Sequence, residues 1–379
     1  MIGPGADPPW LPSDARLGDG VDLGGSTRSQ VRRHQVLEAP PSWGSSVVVK
    51  RFLPQPDGHR AAMGYTRERV GLTHLPGTPR LLASHDPSRT LVLEDLGADS
   101  PTLADVLLAE RATPGASGRD TSAAAYWQAI EWAGALGRTV RSPAGMPDAA
   151  RAELADAAAE DRRVRQDYPR TGLSRLREVA GVRHAGAATA EILDAVERLE
   201  RDTARHVLGP GDTCPDNALL TPAGVRFVDL EGAGVRHVAY EAAYAAEPFS
   251  TCWCVLTPPV GLTGAMLTAF TAGAGEHLPG LADDPDWPAQ VRVAVAAWVL
   301  SGTLWLLDGA VADRAMAPAG RRGPQFRALL LSRWRWVVHE CAEELPDVAA
   351  ACDEALRWAL RAWRDGSPLE LPPYPAFAD

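Results

Sequence analysis

Gly209-Pro210-Gly211-Asp212-Thr213-Cys214-Pro215-Asp216-Asn217-Ala218-Leu219-Leu220 runs into Thr221-Pro222-Ala223-Gly224 and then Val225-Arg226-Phe227-Val228-Asp229-Leu230-Glu231. Two short apolar runs flank a Pro-Ala-Gly turn, the pattern of a β-hairpin. A hairpin sets its open ends side by side. Asp212 and Asn217 lie on the loop entering the first strand, and Asp229 ends the second, so the three polar side chains converge at one end. Oxygens of Asn217 and Asp229 placed this way can hold a magnesium ion, which takes few protein ligands and completes its shell with phosphate and water. That leaves Asp212 to orient an attacking hydroxyl and accept its proton.

Upstream, Val47-Val48-Val49-Lys50-Arg51-Phe52 is β-branched and strand-like. Of the 38 Lys and Arg residues, Lys50 is the single lysine. A chain that uses arginine wherever charge alone is needed marks its one lysine as a functional candidate, because a planar guanidinium does not replace a compact ammonium. Arg60 to Leu75, carrying Glu68, reads as a helix weakened by Gly64 and Gly71. Val21 to Val36 reads as an extended pair around Gly24-Gly25-Ser26-Thr27, and Thr90 to Glu94 as a buried strand ending at Asp95-Leu96-Gly97. Residues 1–97 thus read as strands plus one helix. Beyond Gly97 the periodicity is helical over Leu103 to Glu110, Ser122 to Val140, Ala149 to Gln166, Thr189 to Val207, Ala289 to Leu307, Pro324 to Leu345 and Val348 to Arg364, with the hairpin as a β island. The Pro-rich tail after Ser367 is expected to be ordered only if it docks.

The order of Lys50, Glu68, Leu91-Val92-Leu93-Glu94-Asp95-Leu96-Gly97, Asp212-x4-Asn217 and Asp229-Leu230-Glu231 resembles the aminoglycoside phosphotransferase and choline kinase group, which shares the protein-kinase fold. The resemblance implies an α+β two-lobed fold: an N-lobe over residues 1–97 with a sheet and one helix, and a large helical C-lobe over residues 98–379. It also implies roles. Lys50 would contact the α- and β-phosphates of ATP or GTP, with Glu68 aiming it. Ser26 and Thr27 would cover the phosphates, and the hinge backbone from Glu94 through Asp95 to Leu96 would hydrogen-bond the adenine. Asn217 and Asp229 would ligate Mg2+, and Asp212 would act as catalytic base. The helices after the hairpin would line the acceptor pocket, making Glu241 and Glu247 candidates for meeting a cationic acceptor. The chain departs from the pattern at Pro210, where the group usually has His, with His206 four residues earlier. It also lacks a three-glycine phosphate loop, and it carries Glu241 at the acidic position of a later Pro-x-x-Asp segment.

Other classes are excluded. A net charge of −10 and a pI near 5.4 argue against a nucleic-acid binder. The single lysine follows Val49, which rules out a P-loop, and neither Gly209-x-Gly211 nor Gly232-x-Gly234 completes a dinucleotide fingerprint. The five cysteines form no recognisable disulfide framework, so a reducing compartment is expected, and Cys252-Trp253-Cys254 reads as core. Met1 to Pro12 shows no signal peptide and no stretch reads as a bilayer span, so a cytoplasmic location without a membrane partner is expected. The function read from the residues and the resemblance is O-phosphorylation of a small hydroxylated molecule, such as an aminoglycoside or other antibiotic or natural product. The alternatives are a pseudokinase-type binding protein and a kinase for amino alcohols or sugars.

Overall fold

In the computed structural model, residues 10–54, 59–110, 121–248, 252–317 and 323–378 are described. The expected loops over Leu53–Gly58 and Ala112–Asp120, and the opening Met1–Pro12, fall wholly or partly outside them. The N-terminal part is a five-stranded antiparallel sheet in the order β1-β2-β3-β5-β4. Its strands are β1 (Arg16–Gly25), β2 (Ser29–Glu38) and β3 (Ser46–Phe52), then β4 (Leu81–His85) and β5 (Thr90–Glu94), with α1 (His59–His74) inserted between β3 and β4. This is the arrangement of a protein-kinase N-lobe. Strand periodicity places the key side chain: alternate residues of β3 face opposite sides. Val47 and Val49 pack with Trp43 and Val92 on one face, while Val48 and Phe52 pack beneath α1 on the other. Lys50 shares the parity of Val48 and Phe52 and so points toward α1.

The rest is largely helical. It comprises α2 (Leu103–Leu107), α3 (Thr121–Thr139), α4 (Asp148–Glu153), α5 (Ala155–Ala180) and α6 (Ala185–Arg201). Next come β6 (His206–Gly209), β7 (Ala218–Thr221), β8 (Gly224–Phe227) and β9 (Gly234–His237). The chain closes with α7 (Ala239–Ala246), α8 (Leu262–Gly275), α9 (Trp287–Val311), α10 (Phe326–Glu340) and α11 (Pro346–Ala362). The expected hairpin is present as β7 paired with β8, Ala218 opposite Phe227 and Thr221 opposite Gly224. The sheet followed by this helical part makes the two-lobed, protein-kinase-like fold.

Several boundaries differ from the sequence reading. The helix expected to end near Gln166 continues to Ala180 through Pro169. The helix expected to run to Val207 stops at Arg201, because His206–Gly209 pairs antiparallel with Gly234–His237 as a second short ribbon. Helix α8 escaped the reading because its glycines lower helix propensity. Those glycines serve packing: a Cβ on Gly273 would stand 2.4 Å from the Gly134 carbonyl oxygen, and one on Gly137 would stand 2.2 Å from that of Phe270. Only bare backbone lets α3 and α8 approach this closely. Helix α9 corrects the expectation that no segment could span a bilayer: by length and composition it could, but 78% of its apolar window is buried inside the protein. It is the central helix of the C-terminal core. The tail docks: the Thr257 N–H donates to the Pro372 carbonyl at 2.9 Å, the Tyr374 N–H donates to the Thr257 carbonyl at 3.2 Å, and Tyr374, 1% exposed, sits in the core.

The C-terminal core is anchored by Trp334, which is fully buried and donates its indole N–H to the Thr303 hydroxyl at 3.0 Å. Trp334→Ala removes that packing and leaves a cavity. Urea unfolding should show a loss of about 3–5 kcal/mol, the usual cost of truncating a core aromatic.

Candidate active site

Lys50 is 4% exposed and Glu68 1%. The Lys50 Nζ donates to Glu68 Oε2 at 2.5 Å and, on its other side, to Asp229 Oδ1. One ammonium is thus shared by two carboxylates from α1 and from the end of the hairpin. Burial alone would lower the Lys50 pKa, but the charges of Glu68 and Asp229 and their hydrogen bonds outweigh it and hold the amine well above its ordinary value. Glu68, with no water to solvate it, is pushed up to about 7 by burial, and the Lys50 charge only partly offsets this. The two shifts agree physically: three charges share one site, the lysine is outnumbered, and the deepest carboxylate takes the penalty.

Asp229 sits in the left-handed region, φ 60°, ψ 58°. For a non-glycine residue this strain persists only where the surroundings enforce it, and it clusters at functional sites. Beside it, the Val228 N–H donates to the Asn217 carbonyl at 2.9 Å, tying the two hairpin ends together. Asn217 Nδ2 donates to the Asp212 carbonyl at 3.2 Å, which leaves its Oδ1 for a ligand. Asp212 is exposed to solvent at the mouth of this end, yet protein crowds it on most sides. Burial, together with the charges of Asp229 and Asp216, pushes its carboxyl up to about 6. The donors facing the gap between Asp229 and Asn217 are hard oxygens, a set that fits Mg2+.

A cavity of about 690 Å³ opens between the sheet and the hairpin. Its walls carry Lys50, Glu68, Asn217 and Asp229 at one end, the hinge Glu94–Gly97 at the other, and Val31, Val48, Leu93, Leu219 and Val228 between them. The hinge is braced from outside. Asp95 accepts two bonds from Arg33, at 2.7 and 3.0 Å, and one from Ser46 at 2.7 Å, so its side chain faces the sheet. The Glu94 N–H donates to Arg80, and the Glu94 carboxylate pairs with Arg80 and Arg226. Strand pairing has thus used the Glu94 N–H, whereas the Leu96 N–H carries no protein partner among the described residues. Ser26 lines the cavity from a turn in which its N–H donates to the Ser29 carbonyl and its hydroxyl accepts from the Arg28 N–H. Thr27 stands next to it at the turn and is absent from the lining.

A second cavity, about 310 Å³, lies on the far side of the Arg28–Glu231 ion pair, which borders both. Phe52, Met63 and Gly64 form one wall, and Tyr168 and Trp305, packed edge-to-face, form another. Trp305 is 43% exposed.

The two acidic residues assigned to the acceptor are elsewhere. Glu241 is fully buried against Arg236, 3.3 Å away, with a Cβ-less Gly209 packed on its carboxylate. Glu247 is buried and ion-paired with Arg333. Helix α7 is buried along nearly its whole length, so both charges answer internal arginines and cannot meet a substrate. The cysteine reading is also corrected. Cys214, on the loop between Asp212 and Asn217, is disulfide-bonded to Cys252, so the argument from unpaired cysteines for a reducing compartment falls away. A separation of 38 residues forms no motif; the fold brings the two together. Trp253 reinforces the join by donating its indole N–H to Asp216 at 2.8 Å. The residues that sequence reasoning missed are the buried Arg67 and Arg236 and the partly buried Asp161 between them.

No protein-family model matches the chain, and no curated protein does. Among solved structures it is similar to a choline/ethanolamine kinase family protein from Mesorhizobium loti, at 17% identity over 90% of this chain and 93% of that one, TM-score 0.48. It is also similar to choline kinase from Cryptosporidium parvum Iowa II, at 10% identity over 92% and 94%, TM-score 0.47. A third is an amicoumacin kinase in complex with AMP-PNP, Ca2+ and Ami, at 11% identity over 86% and 89%, TM-score 0.46. At these values the likeness adds no argument; the fold rests on the sheet order and helical lobe described above.

Two measurements check the site as it stands. Alkylation of the denatured, unreduced protein should modify three cysteines, Cys254, Cys341 and Cys352, and reduction beforehand should raise the number to all five. In nucleotide-free protein, carboxyl-detected NMR should show one group titrating near pH 6 that is absent from Asp212→Asn. Its absence from the wild-type protein would mean that Asp212 is better solvated than its surroundings imply.

Proposed function

We propose that this chain is an O-phosphotransferase that moves the terminal phosphoryl group of ATP, or GTP, to a hydroxyl of a small molecule. The observation that carries the reading is the buried Lys50 held between Glu68 and a strained Asp229, one hairpin away from Asn217 and Asp212. Phosphoryl transfer asks for positioning and charge neutralisation more than for covalent chemistry, and this constellation supplies both. The nucleotide base lies against Val31, Val48, Leu93 and Leu219, with the Leu96 N–H as hinge donor, and the lobes meet near Gly97. Lys50 reaches the α- and β-phosphates, while Glu68 keeps it aimed. Ser26 and Thr27 cover the phosphates from the β1–β2 turn. Asn217 and Asp229 would hold Mg2+, which when bound neutralises charge on the phosphate oxygens. Asp212 orients the acceptor hydroxyl and takes its proton.

The acceptor hydroxyl is held at Asp212, and the second cavity, whose lining does not include Asp212, takes the distal part of the acceptor across the Arg28–Glu231 pair. The cavity's carboxylates Glu160 and Glu231 are each paired with an arginine, and its walls are Phe52, Tyr168 and Trp305. That lining suits a hydroxylated natural product or antibiotic with an apolar face better than a polycation.

Three results test the reading. Asp212→Asn should lower turnover about 10²–10⁴-fold, the range for a lost general base, and leave nucleotide affinity unchanged. Asp229→Ala should abolish the magnesium dependence of nucleotide binding in a calorimetric titration. The pH profile of wild-type turnover should fall tenfold per unit on its acid side once Asp212 is protonated, because a protonated carboxyl cannot accept the hydroxyl's proton. Absence of any Mg2+-dependent nucleotide binding would turn the reading to a pseudokinase.

A further inference from the structure

Helix α1 presents three successive charged residues, Arg67, Glu68 and Arg69, of which the first two are buried. Glu68 faces Lys50, and Arg67, about 100° around the helix, faces the other way, into the protein, where it is 5% exposed. Arg67 grips Asp161 of α5 with both nitrogens, at 2.6 and 3.2 Å. It also donates to the Ala157 carbonyl at 3.0 Å and to the Ala233 carbonyl at 2.9 Å. Asp161 is shared. Arg236 of β9 lies 3.5 Å from its second oxygen and donates to the Gly232 carbonyl at 2.5 Å. Gly232 closes the turn that begins at Asp229, and it touches the Asp212 loop: a Cβ on Gly211, at φ +84°, would stand 2.1 Å from the Gly232 carbonyl oxygen. One carboxylate therefore sits between the helix that aims Lys50 and the turn that carries Asp229. Two buried guanidiniums share it as counter-charge; Arg236 also pairs with Glu241 at 3.3 Å, and Arg67 also donates to the Gly232 carbonyl at 3.5 Å.

We propose that Asp161 is a positioning residue: through Arg67 it fixes α1, and through Arg236 it fixes the Asp229 turn, so that Lys50, Glu68 and Asp229 keep one geometry. Burial opposes charge on Asp161, but Arg236, Arg67 and Arg165 together hold its carboxyl below the ordinary range. It stays ionised and the pairing persists across neutral pH. Replacing it with the isosteric Asn removes the charge without removing the volume. Arg67 keeps its carbonyl partners, Arg236 keeps Glu241 and Gly232, and the link between the two arginines is cut. The bearing of this on catalysis rests on the phosphotransfer reading; the geometry itself does not.

The single lysine makes the test direct. An amine-reactive acylating reagent can modify Lys50 and the N-terminal amine of the protein, the latter serving as internal reference. Lys50 lines the cavity, but its nitrogen is engaged by Glu68 and Asp229 and becomes free to react when α1 and the Asp229 turn draw apart and those contacts open. In Asp161→Asn the Lys50 labelling rate, followed by peptide mass spectrometry well below the unfolding temperature, should rise about tenfold, the scale expected for cutting one coupling contact. Glu344→Gln serves as control. It breaks a partly buried pair, Arg292–Glu344, on elements other than α1, α5 and the Asp229 turn, and should leave the rate within about twofold of wild type. A wild-type rate in folded Asp161→Asn, or equal acceleration in both variants, overturns the proposal. If circular dichroism shows that Asp161→Asn does not fold, Arg67→Met, which leaves Asp161 paired with Arg236, replaces it under the same two outcomes. Protection of wild-type Lys50 by Mg–ATP is read separately. Its absence counts against phosphotransfer and leaves the coupling to be judged on the labelling rates.

Discussion

The structure turns on one buried ammonium with two carboxylates. A lysine taken out of water without partners would give up its proton, with shifts of several pKa units documented for such sites. Here the opposite holds, because two anions from separate parts of the chain reach the same nitrogen. Removing either leaves a buried charge only partly compensated, which costs more than the pair itself contributes. The register of β3 must put Lys50 on the α1 side, α1 must turn Glu68 inward, and the hairpin must end at Asp229. A one-residue slip in β3 would send the lysine to the face of Val47 and Val49.

Around this centre, neighbouring elements spend their polar groups on one another and leave few for ligands. The hinge illustrates the economy. Asp95 is consumed by Arg33 and Ser46, and Glu94 by Arg80 and Arg226, so the acidic look of this segment is structural, while the Leu96 N–H has no partner among the described residues. The same holds below the hairpin, where Glu241 and Glu247 each answer an arginine. Carboxylates that stay solvent-accessible, such as Asp212 and Asp229, stand out by contrast.

Much of this was legible in the chain. Lys50 was marked by being the one lysine, and the hairpin by a Pro-Ala-Gly turn between short apolar runs. The N-terminal sheet was marked by β-branched segments such as residues 47–52. What stayed hidden shares a cause. In a sequence this rich in arginine, a buried Arg67 or Arg236 looks like any solvated one, and Asp161 lies among Glu160, Arg162 and Arg163 on a helix whose exposed side is equally charged. The misreading of Glu241 and Glu247 had a usable signal. Ala239-Tyr240-Glu241-Ala242-Ala243-Tyr244-Ala245-Ala246 is apolar all round, the pattern of a helix buried on every side, so a charge in it must be paired internally. The Cys214–Cys252 bond and the α3–α8 crossing depend on tertiary proximity alone, and no spacing rule reaches them.

The Cys214–Cys252 bond has a practical side. It ties the Asp212 loop to the segment ahead of α8 through a linkage that a two-electron reductant opens. Two samples of identical sequence, one purified with thiol reductant and one without, are therefore different chemical species at the loop nearest the reacting group. A loss of rate in a variant and a loss of rate from sample history would look alike in a progress curve. Buffer potential belongs beside temperature and pH among the variables held fixed when rates from this protein are compared.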